Sequence, residues 1–170
     1  MCKVGRLNNQ RAFTLMELCI VLFLLSLFAV ISVPLFSSVG ENNLNHSTRR
    51  LSGIVKYLYN EAALTATAHR LVVKIEDGLC SPQKRSEQGE WLATNGSVRS
   101  YQLPANVQIT QVWIDGKGGL NTGTATIDFH PQGWLPATTF HLQQGKKQLS
   151  LHLLPFTGTA EVEEGYHDFD

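Results

Sequence analysis

The spacing of hydrophobic positions changes character twice along this chain, and each change predicts a boundary between elements. Residues 18–36 carry no charged side chain. As a helix rising about 1.5 Å per residue, such a run reaches across the ~30 Å hydrocarbon core of a bilayer. From Ser37 the sequence turns polar while keeping helical spacing. Leu44, Leu51, Ile54, Val55, Leu58, Ala62 and Ala66 form one stripe, with Glu41, Asn45, Arg49, Lys56 and Asn60 mainly elsewhere. The helix is therefore predicted to continue outward, apolar in its first half (residues 13–36) and amphipathic in its second (37–69). Leu44, Leu51 and Leu58 also fit a heptad, but two repeats are too few for a coiled coil.

After His69 the period becomes two. Leu71, Val73 and Ile75 alternate with Val72, Lys74 and Glu76, and Asp77-Gly78 closes this strand as a turn. Residues 79–97 are polar and rich in turn formers, which predicts a long loop with one short strand. Residues 98–103 and 107–114 are strands, the second changing phase between Ile109 and Val112 as a bulge would. In the last third Ala125, Ile127 and Phe129 share a phase, then Phe140 and Leu142, then Leu149, Leu151 and Leu153, then Ala160 and Val162. Gly133, Pro136, Gly145 and Gly158 separate these runs. Antiparallel sheet is predicted over residues 70–170, so the fold class is α+β, a long helix packed on a β-sheet or β-sandwich domain.

Composition agrees with one membrane helix and one small domain. Of the 170 residues, 43% are hydrophobic and 16% charged, enough apolar material for a core in a domain of roughly 100 residues. The three cysteines are Cys2, Cys19 and Cys80. Cys80 is alone in the β-rich region, so no disulfide forms within it, and no base beside it in sequence marks it as a reactive thiol.

Charge sets the direction of insertion. Lys3, Arg6 and Arg11 precede the apolar run with no acid among them, which keeps the first residues cytoplasmic and sends the rest across the membrane. Three kinds of segment have this layout. A secretory signal peptide has a shorter apolar region and a small-x-small cleavage site. A plain signal anchor explains length and charge but leaves Glu17, the one acid at the head of the run, without a role.

The third kind uses every residue. Arg11-Ala12-Phe13-Thr14-Leu15-Met16-Glu17, followed at once by the apolar helix, resembles the class III leader of type IV pilins and type II secretion pseudopilins. The resemblance implies removal of residues 1–12 by a prepilin peptidase cutting between Ala12 and Phe13, and N-methylation of Phe13. The family usually has Gly where this chain has Ala12. With residues 1–12 gone, 11 of the 14 Lys and Arg remain against 14 Asp and Glu. The mature chain is mildly acidic, which disfavours nucleic acid as a partner.

Glu17 has a physical rationale in this setting. An acid among apolar helices costs on the order of 2.5–3.5 kcal/mol at a membrane centre, and a cation about 4 Å away returns roughly that much at an intermediate dielectric. The resemblance supplies the cation as the amino terminus of Phe13 on an adjacent subunit, so Glu17 is an assembly residue. Pro34, near the end of the run, removes a helix hydrogen bond and predicts a kink there.

Further segments resemble the H-type minor pseudopilin and related minor pilins. These are Leu58-Tyr59-Asn60-Glu61-Ala62 with Arg70-Leu71-Val72-Val73, where Tyr59 replaces the usual Arg, then Ile127-Asp128-Phe129-His130-Pro131-Gln132-Gly133 and Thr157-Gly158-Thr159-Ala160-Glu161-Val162. The resemblance implies a lollipop-shaped, membrane-stored structural subunit of the type II secretion pseudopilus. Its partners would be the major pseudopilin, other minor pseudopilins, the prepilin peptidase and an inner-membrane assembly platform, with the domain in the periplasm. The competing readings are a minor pilin of a type IV pilus, priming assembly or taking up DNA, and a signal-anchored periplasmic enzyme or binding protein.

Residues with other chemistry are few. Gly116-Lys117-Gly118-Gly119 lacks phosphate-loop spacing and predicts a hairpin turn. His130, His141 and His152 fall on the outward phase of successive strands, where a cross-strand metal set is conceivable and solvated histidines are commoner. The acidic end (Glu161, Glu163, Glu164, Asp168, Asp170) has oxygen ligands for calcium but predicts a solvated terminus. No catalytic set is indicated locally, and no cofactor or metal is expected.

Overall fold

The computed structural model describes residues 15–94 and 98–167, with the side chains of residues 30–42 outside that description. Two units make up the chain, Met1–Val39 and Gly40–Asp170. Among the described residues the elements are one helix, α1 (Leu15–Thr65), and ten strands. The strands are β1 (His69–Lys74), β2 (Leu79–Arg85), β3 (Trp91–Ala93), β4 (Tyr101–Gln102), β5 (Gln108–Ile114), β6 (Gly118–Leu120), β7 (Thr124–Phe129), β8 (Thr138–Gln144), β9 (Lys147–Leu153) and β10 (Ala160–Glu164).

In the second unit the helical stripe is buried as its spacing dictates. Leu44, Leu51, Ile54, Val55, Leu58 and Ala62 all lie in the core, while Asn45, Arg49, Lys56 and Asn60 are exposed. Ser47 and Thr48 are buried beside them because each hydroxyl is satisfied locally. Ser47 Oγ donates to Asn43 O at 2.8 Å and meets the Tyr101 hydroxyl at 3.2 Å, and Thr48 Oγ1 donates to Asn45 O at 2.9 Å. The stripe stops one residue class short of expectation. Ala66 is exposed and takes φ 51°, a left-handed conformation just past the last helical residue, and so terminates α1 instead of extending it.

The strands form two antiparallel sheets, one in the order β3-β2-β1-β7 with β4 also on β2, the other β10-β9-β8-β5-β6. In the first, Leu71 stands between Pro82 and Ile127, and Val73 between Cys80 and Ala125. In the second, Val112, Phe140 and Leu151 make one cross-strand row. These inward rows and the α1 stripe share one hydrophobic core. The register shift of β5 falls between Ile109 and Gln111, the phase change read from the sequence. The Gly116–Gly119 stretch is the turn and start of the β5–β6 hairpin, with Gly116 at φ 76° and Gly118 at φ 80°.

Two local expectations are corrected. Residues 79–97 are not mainly loop, because 79–85 make a full strand with Cys80 and Pro82 inward. Pro82 is tolerated there for a geometric reason. Its carbonyl, on the edge away from β1, receives the Thr94 amide at 3.3 Å, in the gap between the stretch of β2 paired with β4 and the stretch paired with β3. The missing N–H therefore interrupts no ladder. The histidines of the outward phase are not all solvated either. His141 and His152 are buried, with Thr139 and Ser150, on the face of β8 and β9 away from the core. The chain end covers them, since β10 pairs with β9 through Glu164 and Gly165 N–H donates to Gln148 O at 2.9 Å.

Candidate assembly site

Ala12 and Phe13 lie outside the described residues. From Leu15 to residue 29 every side chain of the first unit is exposed, and apart from Glu17, Cys19 and Ser26 every residue in that stretch is apolar. Leu15, Phe23 and Phe28 are 82%, 67% and 70% exposed and point in different directions around the axis. Ser26 adds no polar face, because its hydroxyl is taken up by Phe23 O at 2.7 Å within the helix. A helix apolar all round has no favourable state in water. Each large side chain gains about 1.5–3 kcal/mol on burial, so the surface calls for lipid or other apolar helices. Among the described residues no helix is long and apolar enough to cross a membrane. The rest of the expected span, residues 30–36 with Pro34, has its side chains outside the described set.

Glu17 sits in the first turn of α1, exposed, the one ionisable acid of this surface. The partial positive charge at a helix start favours a carboxylate there by about 0.3–1 kcal/mol. Burying the surrounding surface against other helices would strip water from Glu17 too, and the charge would then need a cation close by. The arrangement is suited to contact between helices in which a positive group meets Glu17.

The second unit offers structure more than chemistry at the positions that could have been reactive. Cys80 is fully buried, and desolvation pushes its thiol up to about 12, so no thiolate forms near neutral pH. Ser150 and His141 approach to 3.0 Å, Oγ to Nδ1. The direction of that bond is fixed by the neighbours. Ser150 Oγ gives its one proton to Gly165 O at 2.8 Å and accepts the His167 N–H at 2.9 Å, so His141 Nδ1 must be the donor to it. A base that activates a serine works in the opposite sense. The Tyr166 ring stacks on His141 with centroids 3.9 Å apart, closing the site from outside.

His152 Nδ1 bonds Thr139 Oγ1 at 3.0 Å, and its Nε2 is 3.8 Å from Glu163. His130 instead stacks on Trp134 at 3.8 Å. The three strand histidines thus have three separate surroundings, and among the described residues no group of three or more His, Cys, Asp or Glu is arranged to hold a metal ion. Two open clefts of about 460 and 370 Å³ lie in the second unit, one beside Glu76, Asp77 and Gln102 and the other beside Glu61, Lys84 and Arg85.

The position that sequence reasoning noted only as a substitution, Tyr59, is a structural hub. Its hydroxyl lies 2.7 Å from Gly133 O and 2.6 Å from Phe156 O, joining two loops far apart in sequence to the helix. Lys56 Nζ donates to Thr157 O at 2.9 Å alongside.

No family model matches the sequence, and no curated protein matches it. In structure the chain is similar to the minor pseudopilin EpsH from the type 2 secretion system of Vibrio cholerae, in two solved structures. The TM-scores are 0.63 and 0.62 at 12% identity in both, covering 74% and 75% of this chain and 99% and 98% of the EpsH chains. The type IV minor pilin FimU of Pseudomonas aeruginosa aligns with a TM-score of 0.49 and 16% identity, over 72% of this chain and 90% of that one. The H-type resemblance noted in the sequence holds for the tertiary structure, and this chain has the pilin-like fold of a minor pseudopilin.

Proposed function

We propose that the chain is the precursor of a minor pseudopilin, a structural subunit of a type II secretion pseudopilus that helps export folded proteins across the outer membrane. The observation that carries this reading is the exposed apolar stretch of α1 from Leu15 to residue 29, with Glu17 in its first turn, on the same chain as a domain with the EpsH fold. The subunit is stored in the inner membrane with its amino terminus cytoplasmic and its β-rich domain periplasmic. Prepilin peptidase cuts between Ala12 and Phe13 and methylates Phe13. The helix then packs among those of the major pseudopilin and other minor pseudopilins, with Glu17 meeting the amino terminus of a neighbour. Its role is assembly, driven through the inner-membrane platform, and no catalytic step belongs to it.

The deciding experiment is the mass and amino-terminal sequence of the mature protein, expressed with and without a prepilin peptidase. A start at methylated Phe13 that depends on the peptidase is the expected result. An intact Met1, or a cut beyond residue 36, overturns the proposal in favour of an anchored or secreted protein.

A further inference from the structure

One sheet edge of the second unit is left open. Where β10 runs beside β9, Leu154 N–H donates to Thr159 O at 2.9 Å and Gly165 N–H donates to Gln148 O at 2.9 Å. These two bonds fix the alternation of the strand between them. The backbone groups of Thr159, Glu161, Glu163 and Gly165 face β9, and those of Ala160, Val162 and Glu164 face away from it. The Glu164 carbonyl accepts from His167 Nε2 at 2.9 Å. Among the described residues nothing bonds the N–H or C=O of Ala160 or Val162.

The other edges are short or closed. Strands β3, β4 and β6 are three, two and three residues long. On β7, Ile75 N–H donates to Gly123 O at 3.0 Å, so by the same alternation the backbone of Thr126 faces away from β1, and Lys117 Nζ caps its carbonyl at 2.9 Å. Strand β10 offers five residues, and its inner face is unfinished. The cross-strand row of Val112, Phe140 and Leu151, each 0% exposed, continues into Val162, which is 47% exposed. On the outer face Glu161 and Glu163 are exposed, opposite His152 and Ser150.

We infer that β10 accepts an added strand from another protein, an extended segment with an apolar residue between two Lys or Arg. Backbone bonds to Ala160 and Val162 supply the attachment, as in strand addition generally. The residue opposite Val162 continues the inner row, and its two sequence neighbours then stand opposite Glu161 and Glu163. The acids select the partner as well as attract it. Two copies of β10 paired antiparallel about Val162 would set Glu161 of each against Glu163 of the other, and like charges directly opposite are destabilising. An acidic edge thus rejects its own kind and admits a basic one. Every group in the contact belongs to the second unit, so the inference does not depend on what the apolar helix meets.

The test uses the full-length protein in detergent and three synthetic peptides: alternating Val and Lys, alternating Val and Glu, and the Val-Lys peptide with N-methylated backbone amides. Hydrogen exchange is read amide by amide. The Val-Lys peptide should slow the Ala160 and Val162 amides about tenfold or more at saturation, and the other two peptides should leave them unchanged. Val162→Pro removes an N–H that bonds nothing in the structure, so it should keep the parent's thermal midpoint and lose the slowing at Ala160. Glu161→Lys should weaken the Val-Lys peptide roughly threefold to tenfold. No slowing at any peptide concentration, equal slowing by the Val-Glu peptide, or slowing that survives N-methylation overturns the inference. Slowing that rises with protein concentration alone also overturns it, in favour of a second copy of this chain.

Discussion

Tyr59 occupies the space that any side chain at position 158 would need. A Cβ built on Gly158 would stand 2.2 Å from Tyr59 Cγ and 2.6 Å from Tyr59 Cβ, and Gly158 itself takes φ 58°. Helix and loop are therefore locked together by one residue that must be large and one that must be absent. Gly158→Ala combines overpacking against a ring with a left-handed backbone, for an expected loss of about 2–5 kcal/mol. Tyr59→Phe keeps the ring and removes the hydroxyl that reaches two carbonyls, for about 1–2 kcal/mol. Chemical unfolding of the detergent-solubilised protein measures both, and a Gly158→Ala variant as stable as the parent would refute the lock.

Cys80 makes stability fall at high pH. Its thiol is raised from 9.0 to about 12 by burial. The native state thus keeps a proton that the unfolded chain releases above pH 9. Stability is unaffected below pH 9 and declines between 9 and 12, by up to about 1.4 kcal/mol per pH unit from this group. Cys80→Ala should flatten that decline relative to the parent while costing stability at neutral pH. In the native protein at pH 8, maleimide should leave the buried Cys80 untouched until denaturant is added.

Gly53 is an exposed glycine inside α1 with nothing within 4 Å of the place its Cβ would take. Gly53→Ala should stabilise the protein by about 0.5–1 kcal/mol by restricting the unfolded chain. A shift of the urea midpoint upward is the expected result. If the same variant assembles poorly, a neighbouring subunit approaches that face closely.

Ser150 holds the chain end down through Gly165 and His167. Ser150→Ala leaves the His141 Nδ1–H, the His167 N–H and the Gly165 carbonyl without this partner, and about 1–3 kcal/mol of stability should be lost. Proteolysis confined to residues 160–170 would be the first sign, before the rest of the domain opens.

Glu17→Ala should leave the protein membrane-inserted and reduce its incorporation into filaments. Co-purification with the major pseudopilin reads the effect. Incorporation equal to that of the parent would sink the pairing of Glu17 with a neighbour's amino terminus.

The amphipathic half of the helix and most strands were legible because each has one apolar face, and a periodic face is written directly in residue spacing. The stripe Leu44 to Ala62, the alternation of Leu71 and Val73, the β5 bulge and the glycine turn all follow this rule. The strand 79–85 was not legible, because Leu-Cys-Ser-Pro-Gln-Lys-Arg has turn-forming chemistry and only its neighbours supply a reason to extend. Val162 was read as inward, yet it is 47% exposed, since β10 is an edge strand whose inner side meets too little of the core to be covered.

What the sequence determined by itself is the apolar helix with its single acid, the polar continuation that packs one stripe, and a β-rich domain after residue 69. These depend on local order and spacing, which the chain carries wherever it folds. What only the tertiary structure decided is which polar positions are taken out of water. His141, Ser150 and His152 became interior because the chain end returns over β9, and Tyr59 became a hub because two loops some 74 and 97 residues away meet it. Such burial arises from contacts between distant segments, and no periodicity within either segment records it.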